Sequence, residues 1–393
     1  MSNFETNAIR IQAERSGAKE HSAPIYLTSS YKFDDAEDMR ALFANEREGN
    51  IYSRYSNPNT SELIEKMAVL EGSETGWATS TGMAAIFTTF AALLKSGDHV
   101  LSSRSIFGST HQLLVNIFPK WGITSSYADL DKPEEWESLI QPNTKLIFVE
   151  TPSNPGIDII DLEWLAKLSK KHNALLVVDN CFATPYLQQP IKLGADLSIH
   201  SATKFIDGQG RTLGGLILGS NKLIGEIEAF ARHSGPAMSP FNAWILSKSL
   251  ETLAVRMDRH CESALKVAEF LEQNEEIELV KYPLLKSHPQ YEIAKKQMKA
   301  GGGIVTFVVK GGYERASKFM DSLKMFSISA NLGDTRSIAT HPASSTHSKL
   351  TEEERLQVGI SQGAIRVSIG LEHIADILHD IEQALEVSKL QIA

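Results

Sequence analysis

Cysteine is scarce in this chain: Cys181 and Cys261 are the only two in 393 residues, and they lie far apart. No disulfide framework and no Cys-x-x-Cys metal or redox motif can be built from them, so a reducing compartment, the cytoplasm, is the expectation. Long apolar runs are also missing. The alanine-rich segment 84–94 carries two threonines and is too short to cross a bilayer. The first 19 residues are polar and mixed in charge, without the apolar centre of a secretion signal. Basic clusters are absent as well, with 39 Lys and Arg against 48 Asp and Glu and a formal charge of -9. Neither nucleic acid nor a membrane is therefore an expected partner. The 12 histidines are scattered without ligand spacing, so no metal is expected. Neither a dinucleotide fingerprint nor a P-loop occurs, since Gly208-x-Gly210 does not open a strand-to-helix turn.

What is there is an ordinary globular composition, 42% hydrophobic and 22% charged, in a chain long enough for two or three domains. Residues 1–60 are rich in Ser, Asn and charge and show no sustained periodicity, so this arm is either disordered or packed on a neighbouring subunit. Residues 61–255 alternate apolar runs with amphipathic segments. The runs are Val100-Leu101, Leu146 to Val149, Leu175 to Val178, Leu197 to Ile199 and Leu213 to Leu218, and a helix over 162–171 falls between two of them. Short continuous apolar strands separated by helices predict an α/β fold with a mainly parallel sheet covered on both faces. Asn59 or Thr60 is expected to cap a helix that Gly72 ends. A long helix is expected over 242–273, bridging to a smaller α+β domain in 256–393, with strands at 304–309 and 365–369 and helices at 314–323 and 374–387.

Ligands of parallel sheets sit beyond the carboxyl ends of the strands. Three segments fall there: Glu150 to Pro155, Asp179-Asn180, and Ser201-Ala202-Thr203-Lys204 with its glycine-rich tail. A lysine at such a place can condense with an aldehyde, and a carboxylate can pair with a protonated ring nitrogen. Lys204 and Asp179 together suit pyridoxal 5'-phosphate (PLP). Thr81-Gly82-Met83 opens an alanine-rich helix whose free N–H groups make an anion site, although a plain N-cap has the same pattern. Tyr52 and Arg54, two apart on an extended chain, would point the same way and could grip one phosphate; from the loop alone a surface pair is the plainer reading. Arg366 sits inside an apolar run, and a buried arginine needs a carboxylate from the protein or from a substrate.

These residues resemble the PLP enzymes of cysteine and methionine metabolism, in the aspartate aminotransferase fold (PLP fold type I), from Pro24 to the last helix. The resemblance implies a seven-stranded sheet and a homotetramer built as a dimer of dimers. It implies that Tyr52 and Arg54 come from a neighbouring subunit to the cofactor phosphate, with Thr81, Gly82, Met83, Ser201 and Thr203 completing its cradle. By the same resemblance Asn154 lies near the ring hydroxyl, Asp179 partners the ring nitrogen, Lys204 holds the aldehyde, and Arg366, with Asn331, binds the substrate carboxylate. Phe107 takes the place of a ring-stacking tyrosine, which keeps the stacking and loses a phenolic proton. Ala330 stands where relatives that handle cystathionine often carry a glutamate, and Ser109 where methionine-cleaving relatives carry a cysteine. These departures look most like members that join sulfide to an acylated homoserine in methionine biosynthesis, O-succinyl-L-homoserine and sulfide giving L-homocysteine and succinate. The alternatives are the acetyl ester, cystathionine γ-synthesis, γ-elimination from methionine or cystathionine, and a PLP-binding regulator without turnover. For the succinyl carboxylate, Arg47, Arg104 and Arg211 are the candidates.

Overall fold

A computed structural model describes residues 3–130, 132–348 and 351–389. Seven strands make the large sheet: β1 Thr75–Thr79, β2 His99–Ser103, β3 Thr124–Ala128, β4 Thr144–Glu150, β5 Leu175–Asp179, β6 Leu197–Ser201 and β7 Gly215–Gly219. Their order is β1-β7-β6-β5-β4-β2-β3. β3, β2, β4, β5 and β6 run parallel, and β7 is antiparallel to both of its neighbours. The continuous apolar runs follow from burial on both faces. In β4, Leu146 and Phe148 join one cluster with Phe90 and Phe118, while Ile147 and Val149 join another with Trp136 and Leu165.

The smaller sheet holds β8 Ile277–Lys281, β9 Ile304–Val309, β10 Ser327–Ile328, β11 Ile338–Thr340 and β12 Ala364–Ser368, in the order β10-β11-β12-β9-β8. One face is apolar: Val305, Phe307, Ile365 and Val367 pack with residues of helices Leu253–Glu272, Gly312–Ser322 and Ile374–Val387. Strand alternation turns Thr306 and Arg366 to the other face. There Thr306 Oγ1 donates to the Pro155 carbonyl at 2.6 Å, which fastens the small sheet to the loop after β4.

Several local expectations need correction. The cap of helix Pro58–Glu71 is Asn57 rather than Asn59 or Thr60, with Pro58 in the first turn and Thr60 Oγ1 accepting from the Asn57 N–H at 3.2 Å. Proline suits that position because its missing N–H would have no helical partner there. Gly72 does end this helix, at φ 80°. The long helix over 242–273 is two, Pro240–Leu250 and Leu253–Glu272. The Ser249 carbonyl accepts from Arg256 Nη2 at 2.9 Å and from Thr252 Oγ1 at 3.3 Å, which draws it out of the helical ladder. The arm is not wholly irregular, since Phe4–Arg10 and Ala36–Phe43 are helical. Part of it packs on its own chain, with Trp244 Nε1 donating to the Ala23 carbonyl at 2.8 Å.

Candidate active site

β5 and β6 are adjacent and parallel, so Asp179 at the end of one and Lys204 just after the other come to the same carboxyl end of the sheet. Asp179 is 9% exposed, accepts the Cys181 N–H at 3.0 Å, and has its pKa raised by burial to about 6. Lys204 is part-buried; burial pulls its pKa below that of a free lysine, and the nearby Arg366 pulls the same way. Lys204 Nζ donates to Asn331 Oδ1 at 2.6 Å.

Arg366 is 1% exposed. Nη1 donates to Asn154 Oδ1 at 2.9 Å, and Nη2 to the Asn331 carbonyl at 3.1 Å and Thr340 Oγ1 at 3.3 Å. Its Nε has no acceptor, and among the described residues no carboxylate forms an ion pair with it. Burial lowers its pKa to about 10. The charge of Glu150 acts on Arg366 from a distance and raises its pKa against the effect of burial. The arrangement also changes one detail: Asn331 offers Arg366 its carbonyl and turns its side chain to Lys204.

The candidate anion cradle lies where two elements come into contact. Thr81 caps helix Gly82–Leu93, its hydroxyl accepting from the Ala84 N–H at 3.0 Å, and the N–H groups of Gly82 and Met83 precede the first intrahelical bonds. A Cβ at Gly82 would fall 2.6 Å from Ser201 Cβ, so glycine allows the helix start to touch the end of β6. Thr203 Oγ1 is engaged with Gly214, accepting its N–H at 3.2 Å. Met83 Sδ accepts from Thr110 Oγ1 at 3.9 Å, linking the cradle to the helix that follows Phe107.

Tyr52 and Arg54 are not on an extended stretch, because the Tyr55 N–H closes a turn onto the Tyr52 carbonyl at 2.7 Å. The Arg54 guanidinium lies 5.4 Å from the Tyr52 ring centroid and 4.8 Å from that of Tyr55, and it donates to the Arg232 carbonyl. Among the described residues, this pair shares no hydrogen bond with the cradle of its own chain.

Glu150, which the sequence places only at the end of an apolar run, is a further buried acid at this site. It ends β4 directly beside Asp179, and its Oε2 accepts the Phe107 N–H at 2.8 Å. Burial, and then the charge of Asp179, push its pKa well above the usual carboxylate range. The signal was available: Glu150 closes an apolar run in the same way that Asp179 does.

An amine, a carboxylate, an anion cradle and an arginine lacking a carboxylate fit PLP and an amino-acid substrate. Residues 5–386 match the family model for Cys/Met metabolism PLP-dependent enzymes. The chain belongs to that family. Its cofactor is PLP and its fold is PLP fold type I. An O-succinylhomoserine sulfhydrylase of Pseudomonas aeruginosa is 48% identical over 97% of this chain and 95% of its own length. An L-methionine gamma-lyase of Fusobacterium nucleatum subsp. polymorphum is 43% identical over 92% of this chain and 93% of its own. Among solved structures, one from Campylobacter jejuni bearing the description O-acetylhomoserine (thiol)-lyase, with N'-pyridoxyl-lysine-5'-monophosphate, has a TM-score of 0.94. It is 36% identical and covers 98% of this chain and 100% of its own.

Proposed function

We propose that this family member carries out a γ-replacement, O-succinyl-L-homoserine and sulfide giving L-homocysteine and succinate. The observation that carries this reading is the pair Phe107 and Ala330. Phe107 is fixed to Glu150, while the Ala330 carbonyl lies 3.5 Å from Arg366. No phenol is offered at the first position and no acidic side chain at the second. An alanine cannot hold the distal ammonium of cysteine or cystathionine, which favours sulfide as acceptor. A departing succinate has a conjugate acid of pKa about 4, against about 8.5 for a thiol, so it needs less help from a proton donor. The 48% identity to the Pseudomonas sulfhydrylase supports the same choice.

When bound, PLP supplies an aldehyde for an amine and a ring that accepts electron density. Arg366 binds the α-carboxylate, together with Asn331. Lys204 Nζ would hold the cofactor aldehyde and, as a neutral amine, would be placed to take the substrate Cα proton and return protons along the same face. Ionised Asp179 would pair with the protonated ring nitrogen, Phe107 would stack on the ring, and Asn154 would serve its hydroxyl. Thr81, Gly82, Met83, Ser201 and Thr203 receive the phosphate, joined by Tyr52 and Arg54 from a second copy in a cytoplasmic homotetramer.

The test is a kinetic comparison. Sulfide with O-succinyl-L-homoserine should yield homocysteine faster than sulfide with the acetyl ester, and methionine alone should be cleaved slowly. Methionine cleavage outpacing both sulfide reactions would replace the proposal with γ-elimination, the reading favoured by the 43% identity to the Fusobacterium lyase.

A further inference from the structure

The proposed substrate carries two carboxylates, and Arg366 accounts for one. The structure separates the three arginines that could meet the other. Arg47 is exposed on the arm and paired with Asp38 at 2.6 Å. Arg211 turns back onto Asp207, Nε to Oδ1 at 3.1 Å. Arg104 lines a cavity of about 300 Å³ together with Phe107, Ser109, His111, Tyr127 and Asn154. Asn154 is the residue bonded to Arg366, so this cavity adjoins the α-carboxylate site. Phe107, Asn154 and Arg104 share this one cavity, which gives the acyl end of a γ-ester room to extend toward Arg104.

Arg104 is held for such a task. It stands one residue beyond β2, and its N–H donates to the Ala128 carbonyl at the end of β3 at 2.9 Å. Its Nε donates to Asp129 Oδ1 at 2.8 Å, while Lys132 Nζ takes Asp129 Oδ2 at 2.8 Å. Lys132 Nζ also lies 3.7 Å from Glu135 Oε1, and Asp129 holds the Arg104 guanidinium through Nε alone. Among the described residues, neither Nη of Arg104 has an acceptor. Tyr127 and His111 stand beside it, the Tyr127 hydroxyl 2.8 Å from His111 Nδ1. A guanidinium anchored through Nε presents its two Nη groups in the fork that matches a carboxylate.

Resting on the γ-replacement reading, we infer that Arg104, flanked by Tyr127 and His111, binds the distal carboxylate of a succinyl-type ester and sets the preference for it over the acetyl ester. An acetyl group brings no charge to this place.

Arg104→Met and Arg104→Lys test the inference in the PLP-loaded enzyme. The ratio of kcat/KM for the succinyl ester to that for the acetyl ester should fall by about 10- to 100-fold in Arg104→Met, mainly through KM, and by less in Arg104→Lys. Succinate binding, followed by calorimetry, should weaken by a similar factor in Arg104→Met while acetate binding holds. An unchanged ratio, or an equal loss for both esters, would overturn the subsite. Should wild-type enzyme make no homocysteine yet bind succinate through Arg104, the reaction falls and the subsite stands. Should Arg104→Met fail to fold, the ratio in Arg104→Lys decides, because lysine keeps the charge and loses the fork.

Discussion

Glu150 and Asp179 end neighbouring parallel strands, and two buried carboxylates in register do not both ionise readily. Burial and the charge of Asp179 push Glu150 well above the usual carboxylate range, and burial raises Asp179 as well. Asp179 has its folded pKa raised from 3.8 to about 6, so the native protein binds more protons than the unfolded chain across that interval. The favourable contribution is complete below the unfolded value and is lost as pH rises through the folded one, in all on the order of 3 kcal/mol. Denaturation of the cofactor-free protein should therefore show Asp179→Asn gaining about 3 kcal/mol on wild type between about pH 4 and pH 7. A difference that stays flat with pH would mean the carboxylate is not desolvated. Asp179 was legible because an acid closing an apolar run is conspicuous. Glu150 had the same signature, but its partner, the Phe107 N–H, is 43 positions away and only the fold joins them.

Among the elements, helix Gly82–Leu93 carries the most consequence, since its first turn is pressed against the end of β6. In Gly82→Ala the new Cβ meets Ser201 at 2.6 Å, and either the helix start or Ser201 has to move. PLP affinity, measured by absorbance titration, should drop by about 5- to 150-fold, the range that overpacking of about 1–3 kcal/mol implies. Affinity equal to wild type would show that the cradle is made elsewhere. The start of this helix could be read from Thr81, whose hydroxyl caps it. The break between Leu250 and Leu253 could not, because its cause includes Arg256 Nη2 on the Ser249 carbonyl, and apolar periodicity continues through it.

At the scale of the molecule, the arm leaves large apolar side chains in solvent, with Leu27 71%, Phe43 53% and Met39 45% exposed. Apolar groups so placed are usual at a subunit interface. With Tyr52 and Arg54 turned from their own cradle, each site would be completed by a second copy. Mixing inactive Arg54→Ala and Lys204→Ala proteins under subunit exchange should then restore part of the activity, because one hybrid site receives both intact residues. No recovery would place each site within a single chain. The sequence by itself determined the α/β class, the parallel strands and the placing of Asp179 and Lys204 at strand ends, because continuous apolar runs and the charged residues that end them are local patterns. Tertiary structure alone decided which groups lack partners among the described residues, the Nε of Arg366 and the two Nη groups of Arg104, and how far burial pushes up the carboxyl of Glu150. Each depends on distances between segments remote in sequence, and on how much water folding removes from between them.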